Sequence, residues 1–231
     1  MAAPRLIGIL GGMGPEATIL LQKKLIAAVP ARDDADHIPL IVDMNPQVPS
    51  RIARLIEGRG TDPGPVLAAM AARLDAAGVA ALAMPCNTAH HYADAIRAAV
   101  TVPFLDMIEL SADHALQGAG PGARVGMLAS PAVRKIGLFD RALAARGLTA
   151  LWPTDDAAML GAIRMIKAQG PCPEARAALA AASGELLAGG AAVQLIACTE
   201  FSLIAEHTAP GAKAIDTLDV LEAAGTKWNF L

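Results

Sequence analysis

Residues 5–18 read RLIGILGGMGPEAT. A short apolar run meets Gly12 and Gly14, which permit a tight strand-to-helix turn. Pro15 suits the first position of a helix, and Glu16 suits the positive end of its dipole. The stretch therefore predicts a strand, a tight turn and a helix that runs towards Val29 and stops near Pro30.

The same grammar recurs outward from this stretch. Further apolar runs are PLIVDM (39–44), VAALAM (79–84), PFLDM (103–107), RVGML (124–128), LTALW (148–152), AVQLIA (192–197) and KAID (213–216). Between most of them lie Ala/Leu-rich segments with charges at helical spacing, such as 66–77 and 175–187. Strands alternating with helices predict an α/β fold. Nearly continuous apolar strands predict mostly parallel sheets covered by helices on both faces.

Two echoes divide the chain. RLIGILGGMGPEAT near residue 5 is answered by RVGMLASPAVRK at 124, and VAALAMPCNTAHH near 79 by AVQLIACTEFSLI at 192. The pairs are separated by similar distances. This predicts two similar lobes, each a mostly parallel sheet flanked by helices, related by a pseudo-twofold axis. The expected boundaries are 1–102 plus 212–231 for the N-terminal lobe and 103–211 for the C-terminal lobe.

Composition narrows the class. A chain of 231 residues is long enough for a buried core. A net charge of −3 without a basic run gives no electrostatic case for nucleic acid. Three cysteines without a CxxC pair do not describe a disulfide scaffold, and they fit a reducing, cytoplasmic setting. Glycines interrupt the N-terminal apolar run, which argues against a signal peptide. The uncharged stretch 76–93 carries Pro85, Asn87, His90 and His91 in its second half, which argues against a membrane span.

The candidate chemistry centres on Cys86 and Cys198. Each follows an apolar strand and precedes amide or hydroxyl residues at an expected helix start. Ligand sites of parallel sheets form beyond the carboxyl ends of strands. A helix N-terminus there would lower a thiol pKa towards neutrality. Asn87, Thr88 and Thr199 add donors for a substrate carboxylate. Two thiols facing one carbon would suit stereoinversion: one thiolate removes the Cα proton, and the other thiol returns a proton to the opposite face. No lysine stands out as a Schiff-base residue for pyridoxal phosphate. Arg51 and Lys167 are candidates for pairing with a carboxylate.

Blander readings stand beside these. A lone cysteine after a strand is usually a small buried hydrophobe. Cys86 and His90, four apart, could share a zinc ion, but a full ligand set is missing. Gly12, Gly14 and Ala17 match the dinucleotide fingerprint G-x-G-x-x-A, with Asp43 as a ribose partner, although Pro15 is foreign to that motif. His90 reads as a buttress of the CNTA turn, and Cys172, in GPCP, as a loop residue without a role.

ILGGMGPEAT, PCNTAHH and ACTEF, in this order, resemble the aspartate/glutamate racemase family, and its aspartate racemase branch in particular. The resemblance covers nearly the whole chain. It implies an amino-acid racemase without metal or cofactor, working on a small-molecule substrate with two cysteines, often as a homodimer. By position it implies Cys86 and Cys198 as the catalytic pair. Asn87, Thr88 and Ala89 correspond to the turn that holds the α-carboxylate, with Thr199 as its counterpart. Met13 corresponds to a position lining the site, and Arg51 and Lys167 to the basic residues for the side-chain carboxylate. Ser50 stands where many members have Asp, which bears on side-chain preference. The turn after the first strand favours aspartate over glutamate. The alternatives are a maleate-type cis–trans isomerase on the same scaffold, with one cysteine as nucleophile, and a nucleotide-binding protein using the Gly-rich turn.

Overall fold

The computed structural model describes residues 4–229, which fall into two units, one of residues up to Met107 together with those from Leu218, the other Ile108–Thr217. All eight apolar runs form strands. In the first unit these are β1 (Ile7–Gly11), β2 (Leu40–Met44), β3 (Ala81–Ala83) and β4 (Phe104–Leu105). Its helices are α1 (Pro15–Ala28), α2 (Arg51–Leu55), α3 (Gly64–Ala76) and α4 (Ala93–Ala98). The second unit holds α5 (Met107–Ala119), which starts one residue earlier, then β5 (Arg124–Ala129), α6 (Pro131–Lys135) and α7 (Leu138–Ala144). It continues with β6 (Thr149–Leu151), α8 (Asp156–Gln169), α9 (Pro173–Ala188), β7 (Val193–Ala197) and β8 (Ala214–Asp216). The chain ends in α10 (Thr217–Asn229).

Each unit has a four-stranded parallel sheet. The orders are β2-β1-β3-β4 and β6-β5-β7-β8, the same order in both. In register, Ile7 faces Leu40 on one side and Ala81 on the other, while Val125 faces Ala150 and Val193. The half-repeat seen in the letters is thus a repeat of topology. It extends to the turn after the first strand of each unit. Gly14 caps α1 ahead of Pro15, and Ser130 caps α6 ahead of Pro131 through its hydroxyl.

Side-chain alternation splits each sheet's residues between two apolar layers. In β1, Leu10 packs with Leu67, Met70 and Leu74 of α3, while Ile7 and Ile9 pack with Leu21 and Leu25 of α1 and Leu218 and Leu221 of α10. In the second unit, Leu128 and Ile196 face α8 and α9, and Val125, Met127 and Leu195 face α5 and α7. Each large aliphatic side chain buried this way contributes roughly 1.5–3 kcal/mol before entropy is counted. The strands carry no regular polar alternation, as a doubly covered sheet requires. Among the described residues, no helix is long and apolar enough to cross a membrane.

Two strands lie across the expected boundaries. β4 belongs to the first sheet, where Phe104 and Leu105 pair with Leu82 and Ala83. β8 belongs to the second, where Ala214, Ile215 and Asp216 pair with Gln194, Leu195 and Ile196. A crossover chain must finish pairing with its own sheet before it leaves, so the change of unit comes after β4 at Met107 and after β8 at Thr217. Only α10 returns to the first unit. Arg5 stacks on the Trp228 ring at 3.9 Å, and Lys24 of α1 is paired with Asp219.

Candidate active site

In the first unit, four sequence-flagged residues come together at the carboxyl ends of β1 and β3. Met13, Cys86 and Ala89 belong to one buried cluster with Val48. Arg51, half-buried at the start of α2, donates to Val48 O at 3.2 Å, Pro49 O at 3.0 Å and Met13 O at 3.5 Å. Its guanidinium therefore bridges the loop after β2 and the turn after β1. Ser50 caps α2, its hydroxyl accepting from Ala53 N at 3.2 Å. Serine is a good cap, so Ser50 satisfies the start of α2 without bringing a charge.

The glycine turn is shaped by chain packing. A Cβ on Gly11 would lie 2.5 Å from Thr18 Cγ2, and one on Gly12, at φ 92°, would lie 2.4 Å from the Asn45 carbonyl carbon. Gly12 N donates to Thr18 Oγ1, which donates to Gly14 O, both at 3.0 Å. The glycines let two backbones touch, and Asp43 is paired with Arg73 at 2.6 Å. Gly12 N and Asp43, two groups that the nucleotide reading calls on, thus both have partners within their own chain.

Cys86 is 6% exposed and follows β3 through Met84 and Pro85, with its N–H donating to Met84 O at 2.8 Å. Asn87 and Ala89 are buried beside it, and Thr88 is half-buried. The next residues form a single 3-10 turn, Thr88–Tyr92. His90 is buried within this turn, its Nδ1 2.9 Å from Cys86 O and its Nε2 accepting from Met107 N at 3.1 Å. A backbone amide can only donate, so Nε2 is bare and Nδ1–H points to the cysteine carbonyl. Burial lowers the pKa of His90, opposed by the Asp106 charge and the Cys86 carbonyl and aided weakly by Arg97. Both ring nitrogens are used in the fold, which displaces the zinc reading and makes His90 the buttress of the cysteine turn. Arg97 pairs with Asp106 and sits 5.6 Å from the Phe104 ring, which in turn lies 5.3 Å from the His90 ring.

In the second unit, Cys198 directly follows β7 and is also 6% exposed, with Thr199 buried next to it. A 3-10 segment, Phe201–His207, comes next. Its Ser202 hydroxyl donates to Asp216 Oδ1 at 2.7 Å, and Thr217 Oγ1 donates to Ile196 O at 2.9 Å, which ties the turn to the end of β8. The Cys198 thiol donates to Glu200 Oε2 at 3.0 Å. Lys167, on α8, forms an ion pair with the other Glu200 oxygen. The sequence marked Lys167 for a substrate carboxylate; the fold gives it a carboxylate of its own.

The expectation that an α-helix starts directly after each cysteine is not met. Each cysteine is followed by 3-10 turns rather than an α-helix with aligned dipoles. At Cys198 the balance runs against the expected lowering. Burial first, then the Glu200 charge and hydrogen bond, push its thiol well above the usual range, with Lys167 opposing. Glu200 escaped the sequence reading although it stands inside ACTEF; its signal is the i, i+2 spacing from a cysteine in a tight turn. Cys172 lies in the loop just before α9, makes no side-chain cap bond there, and is buried in the cluster that contains Cys198. All three cysteines are free thiols.

Two like-ordered parallel sheets, each with a buried cysteine turn after its third strand, make this a two-unit α/β protein. A family model described as Asp/Glu/Hydantoin racemase matches residues 10–224, and the chain belongs to that family. An aspartate racemase of Picrophilus torridus superposes with a TM-score of 0.87 at 26% identity, over 98% of this chain and 94% of that one. An aspartate racemase homologue from Pyrococcus horikoshii gives 0.75 at 20% identity, over 98% and 100% of the two chains. A glutamate racemase of Francisella tularensis gives 0.70 at 16%, over 99% and 81%; these last two bear on fold alone. A broad specificity amino-acid racemase of Bacillus subtilis is 33% identical over 108 residues, which is 45% of this chain and 46% of that protein. The match thus spans a little under half the length of that relative.

Proposed function

We propose that this protein is a pyridoxal-phosphate-independent amino-acid racemase that interconverts L- and D-aspartate, with Cys86 and Cys198 as its two acid/base groups. The observation that carries this reading is topological equivalence. Each cysteine follows the third strand in the order of its own sheet, β3 or β7, in a family of racemases. One thiolate takes the Cα proton, and the electron pair moves into the α-carboxylate. Donors at Asn87, Thr88 and Thr199 stabilise the charge that builds up there. The second thiol protonates the opposite face of Cα, and exchanging the two roles runs the reaction backward. Aspartate is favoured over glutamate by the likeness to the Picrophilus torridus aspartate racemase. Three free thiols support a cytoplasmic setting, and the family resemblance supports a homodimer.

A second reading, relaxed side-chain preference, is favoured by a specific observation. Both cations expected at the side-chain carboxylate have internal partners, Arg51 on three carbonyls and Lys167 on Glu200. The Bacillus subtilis relative, matched over a little under half its length, is named a broad specificity amino-acid racemase.

Incubation of L-aspartate in D2O tests the proposal. Loss of optical activity with deuterium at Cα is expected, and Cys86→Ser and Cys198→Ser should each abolish it. Full racemisation by either variant would refute the two-base scheme. Absence of exchange with aspartate, glutamate and alanine, in protein whose thiols are intact, would refute the racemase. Isomerisation of maleate without Cα exchange would favour nucleophilic use of one cysteine.

A further inference from the structure

Glu200 stands two residues after Cys198, and both are buried, 7% and 6% exposed. Its Oε2 accepts the thiol's hydrogen bond at 3.0 Å. Its other oxygen is held by Lys167, which α8 carries beside the same apolar cluster that contains Cys198. An ionised carboxylate has lone pairs and no hydrogen, so this contact requires the hydrogen to sit on sulfur. A thiolate at Cys198 would place a second negative charge 3.0 Å from the carboxylate in a site with little water. Lys167 offsets part of that repulsion and fixes which carboxylate oxygen faces the thiol.

We propose that Glu200 is a positioning residue for Cys198: anchored by Lys167, its carboxylate keeps Cys198 as the proton-bearing member of the cysteine pair in the resting enzyme. The catalytic consequence rests on the racemase reading. In the first turnover Cys86 is the base and breaks the Cα–H bond. The electron pair left on Cα then takes the proton of Cys198, forming the new C–H bond as the S–H bond breaks. Cys198 is left as a thiolate beside Glu200. That neighbour makes it a stronger base, suited to removing a weakly acidic Cα proton in the reverse direction, or it regains a proton from solvent. The enantiomer that presents its Cα–H to Cys86 is therefore the one accepted by the resting form.

Alkylation by iodoacetamide as a function of pH, with each cysteine followed separately by peptide mass spectrometry, reads this directly. In wild type, Cys198 should react only at strongly alkaline pH. Glu200→Gln should move its profile to lower pH and speed its alkylation at pH 8 by about tenfold for each unit moved. Glu200→Asp, which keeps the charge, should restore a profile close to wild type, and Lys167→Met should slow Cys198 further. The references are Cys86 and Cys172 in the same digests. A Glu200→Gln profile superimposable on wild type would overturn the proposal. So would equal acceleration of all three cysteines, which signals general loosening. Alkylation requires no turnover, so a failure of racemisation in D2O would remove the racemase reading and leave the Glu200 result to stand or fall alone.

Discussion

Gly12 shows how little freedom the turn after β1 has. Its φ of 92° disfavours any side chain, and the Asn45 backbone fills the place of a Cβ. Gly12→Ala should lose about 1–3 kcal/mol from the left-handed backbone alone, read as a lower urea midpoint, with a further loss as Asn45 is displaced. Arg51 makes a different prediction because it has two tasks. It holds three carbonyls on two loops, and under the proposed function it would also pair with the substrate's second carboxylate. Arg51→Ala should cut kcat/KM for aspartate more than for alanine. An equal loss for both would show that the guanidinium only holds the loops. Arg51→Lys keeps the charge but lacks the planar fork, so it should recover part of the aspartate activity and little of the stability.

At the scale of elements, the 3-10 turn after Cys86 is pinned to the first residue of α5 through one imidazole. His90→Ala removes the acceptor for Met107 N–H and the donor to Cys86 O, and should cost about 1–3 kcal/mol. The pH dependence has a definite sign. The folded pKa of His90 lies below the ordinary value, so the unfolded chain takes up the proton first. Its contribution is full above about pH 6.5 and is lost as pH falls through the lowered folded value. Urea midpoints of wild type and His90→Ala should therefore differ clearly at pH 8 and converge under acid. The positions of these elements were legible in the sequence because parallel strands covered on both faces leave uninterrupted apolar runs. Which sheet an edge strand joins was not, since PFLDM and KAID would be equally apolar in either. The Cys198–Glu200–Lys167 chain was not legible as a unit either. Its two ends lie 31 positions apart on α8 and a turn, and only folding brings them within bonding distance.

The whole molecule is organised by its discontinuity. The first unit is built from both ends of the chain, with α10 supplying Leu218 and Leu221 to the layer under β1. Leu221 is 1% exposed, and Leu221→Ala should cost about 2–5 kcal/mol. In hydrogen exchange, the loss of protection should fall on residues 7–11 and 81–83, which are remote in sequence, and spare 124–129 and 193–197. Equal loss in both sheets would mean that the two units unfold as one.

The return of α10 also sets an order of events on the ribosome. Chains grow at roughly 5–20 residues per second and generally fold by domains from the N-terminus. Here the rule is inverted. β1 to β4 emerge early, but the layer beneath β1 stays open until α10 has been made. The second unit, with all its strands and helices in one continuous stretch, is complete before that. A nascent chain stalled after Thr217 has emerged should therefore resist protease in its later half and be cut in its earlier half, and release to full length should protect both.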